Sequence, residues 1–369
     1  MDFTLTAAQD ELGAMTRTIL ADHATPQRLR AADGTRFDPA LWAALAGAGV
    51  LSAALPESAG GDGLGLLEQC TVLTELGRSV APAPYLPSIL LGAAAVAEFG
   101  DAGQRQRWAA PAARGEVILA AALAEEDSDD PARPATRAEP AGDGWMLTGV
   151  KTTVQAGTMA DLLLVPAMTA DGPAAFLVTP ADSGVTVTPQ EVTGGDATAA
   201  VELSAARLPA GRMLGAPDRG AEITAWLADR ATVGLCALQL GIAERALELT
   251  AAYAQRRQQF GKPIGSFQAV SQRLADCYID VEGIRLTLWQ AAWRLASGLP
   301  AETEVATAKF WAADAGHRVA HAAVHIHGGV GIDTDGEVHR YFVAAKFCEF
   351  ALGGATAQLR RIGTALAEA

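Results

Sequence analysis

Basic charge is scarce in this chain. Lysine and arginine number 28 against 42 aspartates and glutamates, a formal net charge of -14, and lysine occurs only at positions 151, 262, 309 and 346. Binding a nucleic-acid backbone needs a basic surface, and no Lys/Arg stripe runs along the sequence, which argues against a nucleic-acid partner. A small anionic ligand stays possible wherever arginines gather locally. Cysteine is also sparse. Cys70, Cys236, Cys277 and Cys348 stand far apart, without metal-ligand spacing, and at least two fall on helical apolar faces. They read as reduced core thiols, and no metal is predicted. Long hydrophobic runs are missing too: none approaches eighteen uncharged apolar residues, and the opening Met1-Asp-Phe-Thr-Leu-Thr has no basic segment leading into an apolar one. The expectation is a cytoplasmic protein with no membrane partner.

What is present is apolar residue in quantity. Half of the 369 residues are hydrophobic, and the length exceeds what one compact core usually holds, so several domains are expected. The texture changes twice. Residues 1–117 carry helical patterns over Thr6–Ala21, Pro39–Ala46, Leu66–Leu76, Ser88–Phe99 and Ala102–Ala110, punctuated by Gly- and Pro-rich turns. Residues 118–215 turn to short β-type runs, Val117–Leu123, Trp145–Leu147, Leu162–Pro166, Ala175–Val178, Val185–Pro189 and Ala199–Leu203, with an acidic loop predicted to be mobile over Glu125–Asp143. Residues 216–369 return to helix: Ile223–Gln255, a seam running Phe267, Val270, Leu274, Cys277, Val281, Ile284, Leu288, Ala291 and Leu295, then Ala301–His325 and Thr356–Ala367. The fold class is therefore mostly α with a central β-domain (α-β-α): an N-terminal helical domain, an antiparallel β-barrel or sandwich, and a C-terminal helical bundle.

Three stretches carry chemistry. Tyr253–Gln268 interrupts the two longest helical patterns, with Gly261, Pro263 and Gly265 stopping one and starting the next. It leaves Arg256 and Arg257 at a helix C-terminus, where a guanidinium can cap terminal carbonyls or bind phosphate bidentately. His325-Ile-His-Gly-Gly-Val-Gly-Ile ends a helix. Two histidines two apart share no helix face, which argues against metal ligation, and the glycines fit either a C-cap or close approach of a ligand. Phe350-Ala-Leu-Gly-Gly-Ala-Thr opens the last helix, with Thr356 as N-cap.

Taken in order, Arg-x-Gln-Phe-Gly-Lys-Pro-Ile-x-x-Phe-Gln (Arg257–Gln268), His-Gly-Gly-x-Gly (His327–Gly331) and the Gly-Gly-x-Thr helix start resemble the acyl-CoA dehydrogenase family of flavoproteins. Leu55-Pro-Glu-Ser-Ala-Gly-Gly-Asp-Gly, Glu75-Leu-Gly-Arg, Gly149-Val-Lys and Ala160-Asp-Leu-Leu-Leu-Val fall where that family has similar strings, so the resemblance runs nearly end to end. It implies a C-terminal four-helix bundle, assembly as dimers or tetramers, FAD in a crevice between β-domain and bundle, and electron transfer to an electron-transfer flavoprotein. It also implies that Arg257, helped by Gln259 and Phe260, binds the pyrophosphate of a neighbouring subunit's FAD. Gln268, Gly328 and Gly329 would complete the adenosine side, and Ile264, Phe267, His325 and Ile326 are further implied cofactor contacts, although family members often have Gln where His325 stands. The implied reaction is α,β-desaturation of an acyl-CoA: α-proton abstraction and hydride transfer from the β-carbon to flavin N5.

Two departures bear on that reaction. The family's usual base is the glutamate of a Glu-Gly-Thr string, and the matching residue here is Gly353, beside Leu352. Some members carry the base on the earlier long helix directly before an arginine, a place held here by Asp229 and Arg230, while Glu349 precedes the loop and is a poorer candidate. Leu352, Gly353 and Arg230 are implied substrate contacts. The aromatic cover of the flavin is also absent, its place taken by Thr153-Val-Gln-Ala, so Thr153 and Gln155 are the implied contacts to the ring's edge. Both departures, and Leu76-Gly-Arg-Ser-Val-Ala-Pro-Ala-Pro, resemble actinobacterial members that act on steroid side chains as two different subunits, one with a degenerate site. The resemblance thus leaves an active dehydrogenase with Asp229 as base, or a half-site subunit of a heterotetramer completing another chain's FAD site.

Overall fold

The computed structural model describes residues 3–126, 130–194 and 197–368. By contact density the chain forms two compact units, neither continuous in sequence. One comprises Met1–Arg28, Leu66–Ala81 and Thr232–Ala369, the other Leu29–Gly65 and Pro82–Ala231.

The second unit holds a seven-stranded sheet: β1 Leu119–Ala121, β2 Arg137–Ala141, β3 Gly144–Gln155, β4 Leu162–Thr169, β5 Gly172–Val178, β6 Val185–Gln190 and β7 Thr198–Pro209. β4 pairs with β5 on one side and, in parallel, with β1 and then β2 on the other. From β2 the sheet continues antiparallel through β3 and β7 to β6. Leu162 to Ala167 are all buried, which explains why β4 reads as an unbroken apolar run instead of an alternation. Leu147, Val154, Leu163, Val165, Phe176, Val201 and Leu203 meet in one core.

Here the sequence-based expectation needs correcting. The segment Glu125–Asp143, predicted as a mobile loop, contains β2 paired along its length with β3, and the Glu125 side chain is buried in an ion pair; residues 127–129 lie outside the described ones. β3 and β7 each run twelve residues, far beyond Trp145–Leu147 and Ala199–Leu203. Their polar halves are held by cross-strand pairing, which no local propensity announces.

The other unit is helical: α1 Ala7–His23, α2 Leu66–Arg78, the 232–256 part of α3 Gly220–Arg256, α4 Gln268–Ala296, α5 Glu302–His327, α6 Glu337–Phe350 and α7 Ala355–Glu368. A capping box starts α1, with Gln9 N donating to Thr6 Oγ1 and Thr6 N to Gln9 Oε1. The α4 seam is buried at Cys277, Val281, Ile284, Leu288 and Ala291, while Phe267, Val270, Leu274 and Leu295 at its ends are only half-buried. The four cysteines are free and buried, as expected. α6 has no counterpart in the sequence-based reading, although Val338, Tyr341, Ala345 and Cys348, all buried, follow a three-four-three spacing that announces it. Thr356 is not the cap of α7. The first helical bond runs from Gln358 N to Gly354 O, which puts Thr356 inside the first turn.

α2 and α3 cross at two glycines. A Cβ at Gly241 would stand 1.9 Å from Thr74 O, and one at Gly77 2.2 Å from Leu238 O. Gly241→Ala must push the helices apart and is expected to cost about 1–3 kcal/mol, read as a lower midpoint in urea with unchanged slope.

Candidate functional site

α3 ends at Arg256, and the two neighbouring arginines part company there. Arg256 Nε donates to Ala252 O at 3.2 Å, capping the helix. Arg257 donates its main-chain N–H to Tyr253 O and accepts from Ile264 N, both at 2.8 Å, so its backbone is pinned. Its guanidinium is exposed and makes no hydrogen bond or ion pair with any described residue. Of the two roles open to an arginine here, capping thus falls to Arg256 and not to Arg257. The chain then turns through a minimal hairpin, Gln258–Gln259 against Lys262–Pro263. The turn residues Phe260 and Gly261 both have positive φ (53° and 77°), as a two-residue hairpin turn requires. That places Phe260 at the tip, 92% exposed, with its ring 6.1 Å from Phe267. Gln259 and Gln268 are exposed and Ile264 is half-buried.

The glycine turn after α5 meets this region through His327. Its Nδ1 lies 2.8 Å from Ala323 O, so that nitrogen carries the proton and donates, and the ring stacks on Tyr253 at 4.2 Å, one helical turn before Arg257. Gly328 takes φ 64°, ψ -142°, a conformation that side chains other than glycine avoid. Nothing lies within 4 Å of where a Cβ would stand on Gly328 or Gly329, so their backbone is open to a second molecule. His325 is exposed and Ile326 half-buried.

The turn after α6 is locked. Leu352 and Gly353 both have positive φ (57° and 90°). Gln358, fully buried on α7, donates Nε2 to Leu352 O and Gly353 O at 3.1 Å each. Lys309 on α5, fully buried as well, donates Nζ to Cys348 O at 2.6 Å and Glu349 O at 3.1 Å, and burial pulls its pKa down. Sequence reasoning missed both residues, since an isolated Lys or Gln in a helix looks like a solvated surface group. A side chain at Gly353 would meet Ala357 Cβ at 3.1 Å and Gln358 Nε2 at 3.2 Å. Glu349 is spoken for by Lys346 Nζ at 2.7 Å and His317 Nδ1 at 3.0 Å.

Four candidates belong to the sheet-containing unit: Thr153, Gln155, Asp229 and Arg230. Between Lys151↔Val201 and Val154↔Ala199, β3 has two residues where β7 has one, so Thr152 and Thr153 form a β-bulge. Thr153 is exposed with φ 47°, a strained value for a β-branched residue, costing about 1–3 kcal/mol. Asp229 is half-buried on α3, and the Arg230 guanidinium stacks 3.9 Å over Trp226, which in turn meets Phe99 edge-on.

Residues 6–116 match the acyl-CoA dehydrogenase N-terminal domain and residues 197–367 the acyl-CoA dehydrogenase C-terminal domain. The chain belongs to the acyl-CoA dehydrogenase family. It is 51% identical to acyl-CoA dehydrogenase FadE27 of Mycobacterium tuberculosis over 378 residues, spanning 100% of this chain and 99% of that protein. It superposes on a chain of the ChsE4-ChsE5 complex from the same organism with TM-score 0.95 at 52% identity, covering all of both chains. It also matches the Tcur3481-Tcur3483 steroid ACAD G363A variant at TM-score 0.92 and 44% identity, over 98% of each chain. Acyl-CoA dehydrogenases are FAD-dependent oxidoreductases acting on CH–CH bonds. An FAD diphosphate needs an uncommitted fork and backbone free of Cβ atoms, and Arg257 with Gly328 and Gly329 fit that demand. Among the described residues, no helix is long and apolar enough to cross a membrane.

Proposed function

We propose that this chain is the cofactor-lending subunit of a heteromeric acyl-CoA dehydrogenase, one that helps hold FAD while the catalytic carboxylate comes from a related partner chain. The observation carrying this reading is the turn Ala351–Gly354. Where the family usually has its base, the chain has Leu352 and Gly353, backbone pinned by Gln358. The similarity to a chain of the ChsE4-ChsE5 complex supports a related partner, and the similarity to a steroid ACAD supports a CoA thioester with a bulky steroid-type acyl group.

In this reading Arg257, helped by Gln259 and Phe260, would hold the pyrophosphate of a neighbouring subunit's FAD, Gln268 with the Gly328–Gly329 backbone would hold its adenosine side, and Ile264, Phe267, His325 and Ile326 would be further cofactor contacts. Thr153 and Gln155 would offer hydrogen bonds to the edge of a flavin ring. Bound FAD supplies the hydride acceptor for desaturation, with an electron-transfer flavoprotein as the onward acceptor.

A second reading keeps catalysis in this chain. Asp229, half-buried and directly before the stacked Arg230, would be the base, one methylene shorter than the usual glutamate. The flavin-to-protein ratio separates the two. Protein purified alone is expected to be colourless or weakly flavinated, and to take up flavin when co-expressed with a homologous partner. Full flavin occupancy as a homo-oligomer, with acyl-CoA bleaching abolished by Asp229→Asn, would establish the second reading.

A further inference from the structure

The strained bulge at Thr152–Thr153 is tied down from several sides. Thr152 N donates to Ala124 O at 2.9 Å and Thr153 N to Gln190 Oε1 at 2.7 Å, so neither amide relies on the β3–β7 ladder. Lys151, the residue before the bulge, buries its ammonium completely and bonds Glu125 Oε1 at 2.5 Å. Glu125 is the residue after Ala124, and its side chain is only 3% exposed. The same carboxylate accepts from Thr136 Oγ1 at 2.5 Å, Thr136 N at 3.0 Å and Ala135 N. One carboxylate therefore joins the end of β1, the approach to β2 and the middle of β3. Gly149 makes room for it: a Cβ there would stand 2.5 Å from Thr136 Oγ1. Strained backbone persists only where its surroundings over-determine it, and such points gather at ligand-contacting sites. A buried ion pair is seldom a gain in stability over apolar residues of the same volume, so specificity of position is the better account of why it is there.

We propose that the Lys151–Glu125 pair is the positioning element of the Thr152–Thr153 bulge and, through it, of the flavin edge that Thr153 and Gln155 contact. The second half rests on the flavin reading above; the first does not. Neither residue touches the cofactor in this account. Glu125 holds Ala124, Ala124 holds Thr152, and Lys151 fixes where the bulge begins.

The test compares wild type with Lys151→Met and with the double variant Lys151→Met/Glu125→Gln, which removes both charges at nearly constant volume. Lys151→Met alone leaves a buried carboxylate without its cation and is expected to be strongly destabilised, whereas the double variant is expected to keep a melting temperature within a few degrees of wild type. Two readouts follow: hydrogen exchange of the segment 150–156 by mass spectrometry, and FAD affinity by fluorescence quenching, measured with the homologous partner if the chain needs one. The double variant is expected to exchange at Thr152 and Thr153 at least tenfold faster and to bind FAD at least tenfold more weakly, despite its near-native melting temperature. Native exchange in the double variant would overturn the proposal, because a purely structural role is restored by neutralising both partners. Fast exchange with unchanged FAD affinity would overturn its flavin half. If wild type binds no FAD alone or with a partner, the flavin reading fails, and exchange alone decides the positioning of the bulge.

Discussion

Arg257→Ala is expected to weaken FAD binding by the assembled protein roughly 30- to 150-fold, about 2–3 kcal/mol, while Arg256→Ala leaves it unchanged. The two residues are adjacent and carry the same charge, so net electrostatics cannot separate them. Their engagement does. Arg256 already donates to Ala252 O, and its loss costs only a helix cap, about 1 kcal/mol or less of stability. Arg257 has its backbone fixed by Tyr253 O and Ile264 N and its guanidinium uncommitted, so it brings a preorganised fork to a diphosphate. Arg257→Lys is expected to recover only part of the affinity, since an ammonium offers one point charge in place of two parallel donors. The measurement is FAD retained per protein after gel filtration, with the dissociation constant from flavin fluorescence. Equal losses in Arg256→Ala and Arg257→Ala would refute the assignment.

Glu125→Ala is expected to destabilise the sheet-containing unit by about 3–5 kcal/mol, because it strands the Lys151 ammonium in a site closed to solvent. For a domain of this size that lowers the melting temperature on the order of 10 °C. The deficit should depend on pH. In the wild type, burial pushes Lys151 down to about 8 against the pull of Glu125, and removing Glu125 lowers it further. An unfolded lysine keeps its proton to about pH 10.4, so wherever the folded variant has given up a proton that wild type still holds, the variant gains stability relative to wild type as pH rises. The deficit is therefore largest from mildly acidic to neutral pH, where both members of the wild-type pair are charged, and narrows towards pH 8. Calorimetry at several pH values checks it, and a pH-independent deficit would mean that Lys151 is not a buried cation. Glu125 behaves oppositely: burial pushes its pKa up, but Lys151 and the hydrogen bonds outweigh that and hold it below the usual carboxylate value. Its contribution is complete above the unfolded value near 4.5 and disappears as pH falls through the lowered one.

The helical parts of the fold were largely legible in the sequence. A helix writes its own boundaries locally: Thr6 with Gln9 starts α1, Gly261 and Pro263 separate α3 from α4, and the seam from Cys277 to Ala291 is buried as its spacing predicts. The sheet was less legible. β4 announces itself by apolar content, but β2 sits in an acidic, proline-bearing stretch and is a strand because β3 pairs with it. The candidate site divides the same way. The order of the Arg257, His327 and Gly353 motifs along the chain was enough to point to the family, because that order survives without knowledge of any contact.

By itself, then, the sequence determined most of the succession of helical and β segments, the shortage of basic charge, and the ordered motifs that mark the family. Tertiary structure decided which of two adjacent arginines caps a helix and which stays available, that His327 stacks on Tyr253 to join two distant motifs, and that Lys309 and Gln358 fix the turn lacking a carboxylate. It also paired Lys151 with Glu125 beneath a strained bulge. The reason is physical. Periodicity and capping act over three or four residues and are written in the chain, whereas the partner of a buried polar group is chosen by whatever folding brings opposite it, and its cost or benefit exists only once water has been excluded.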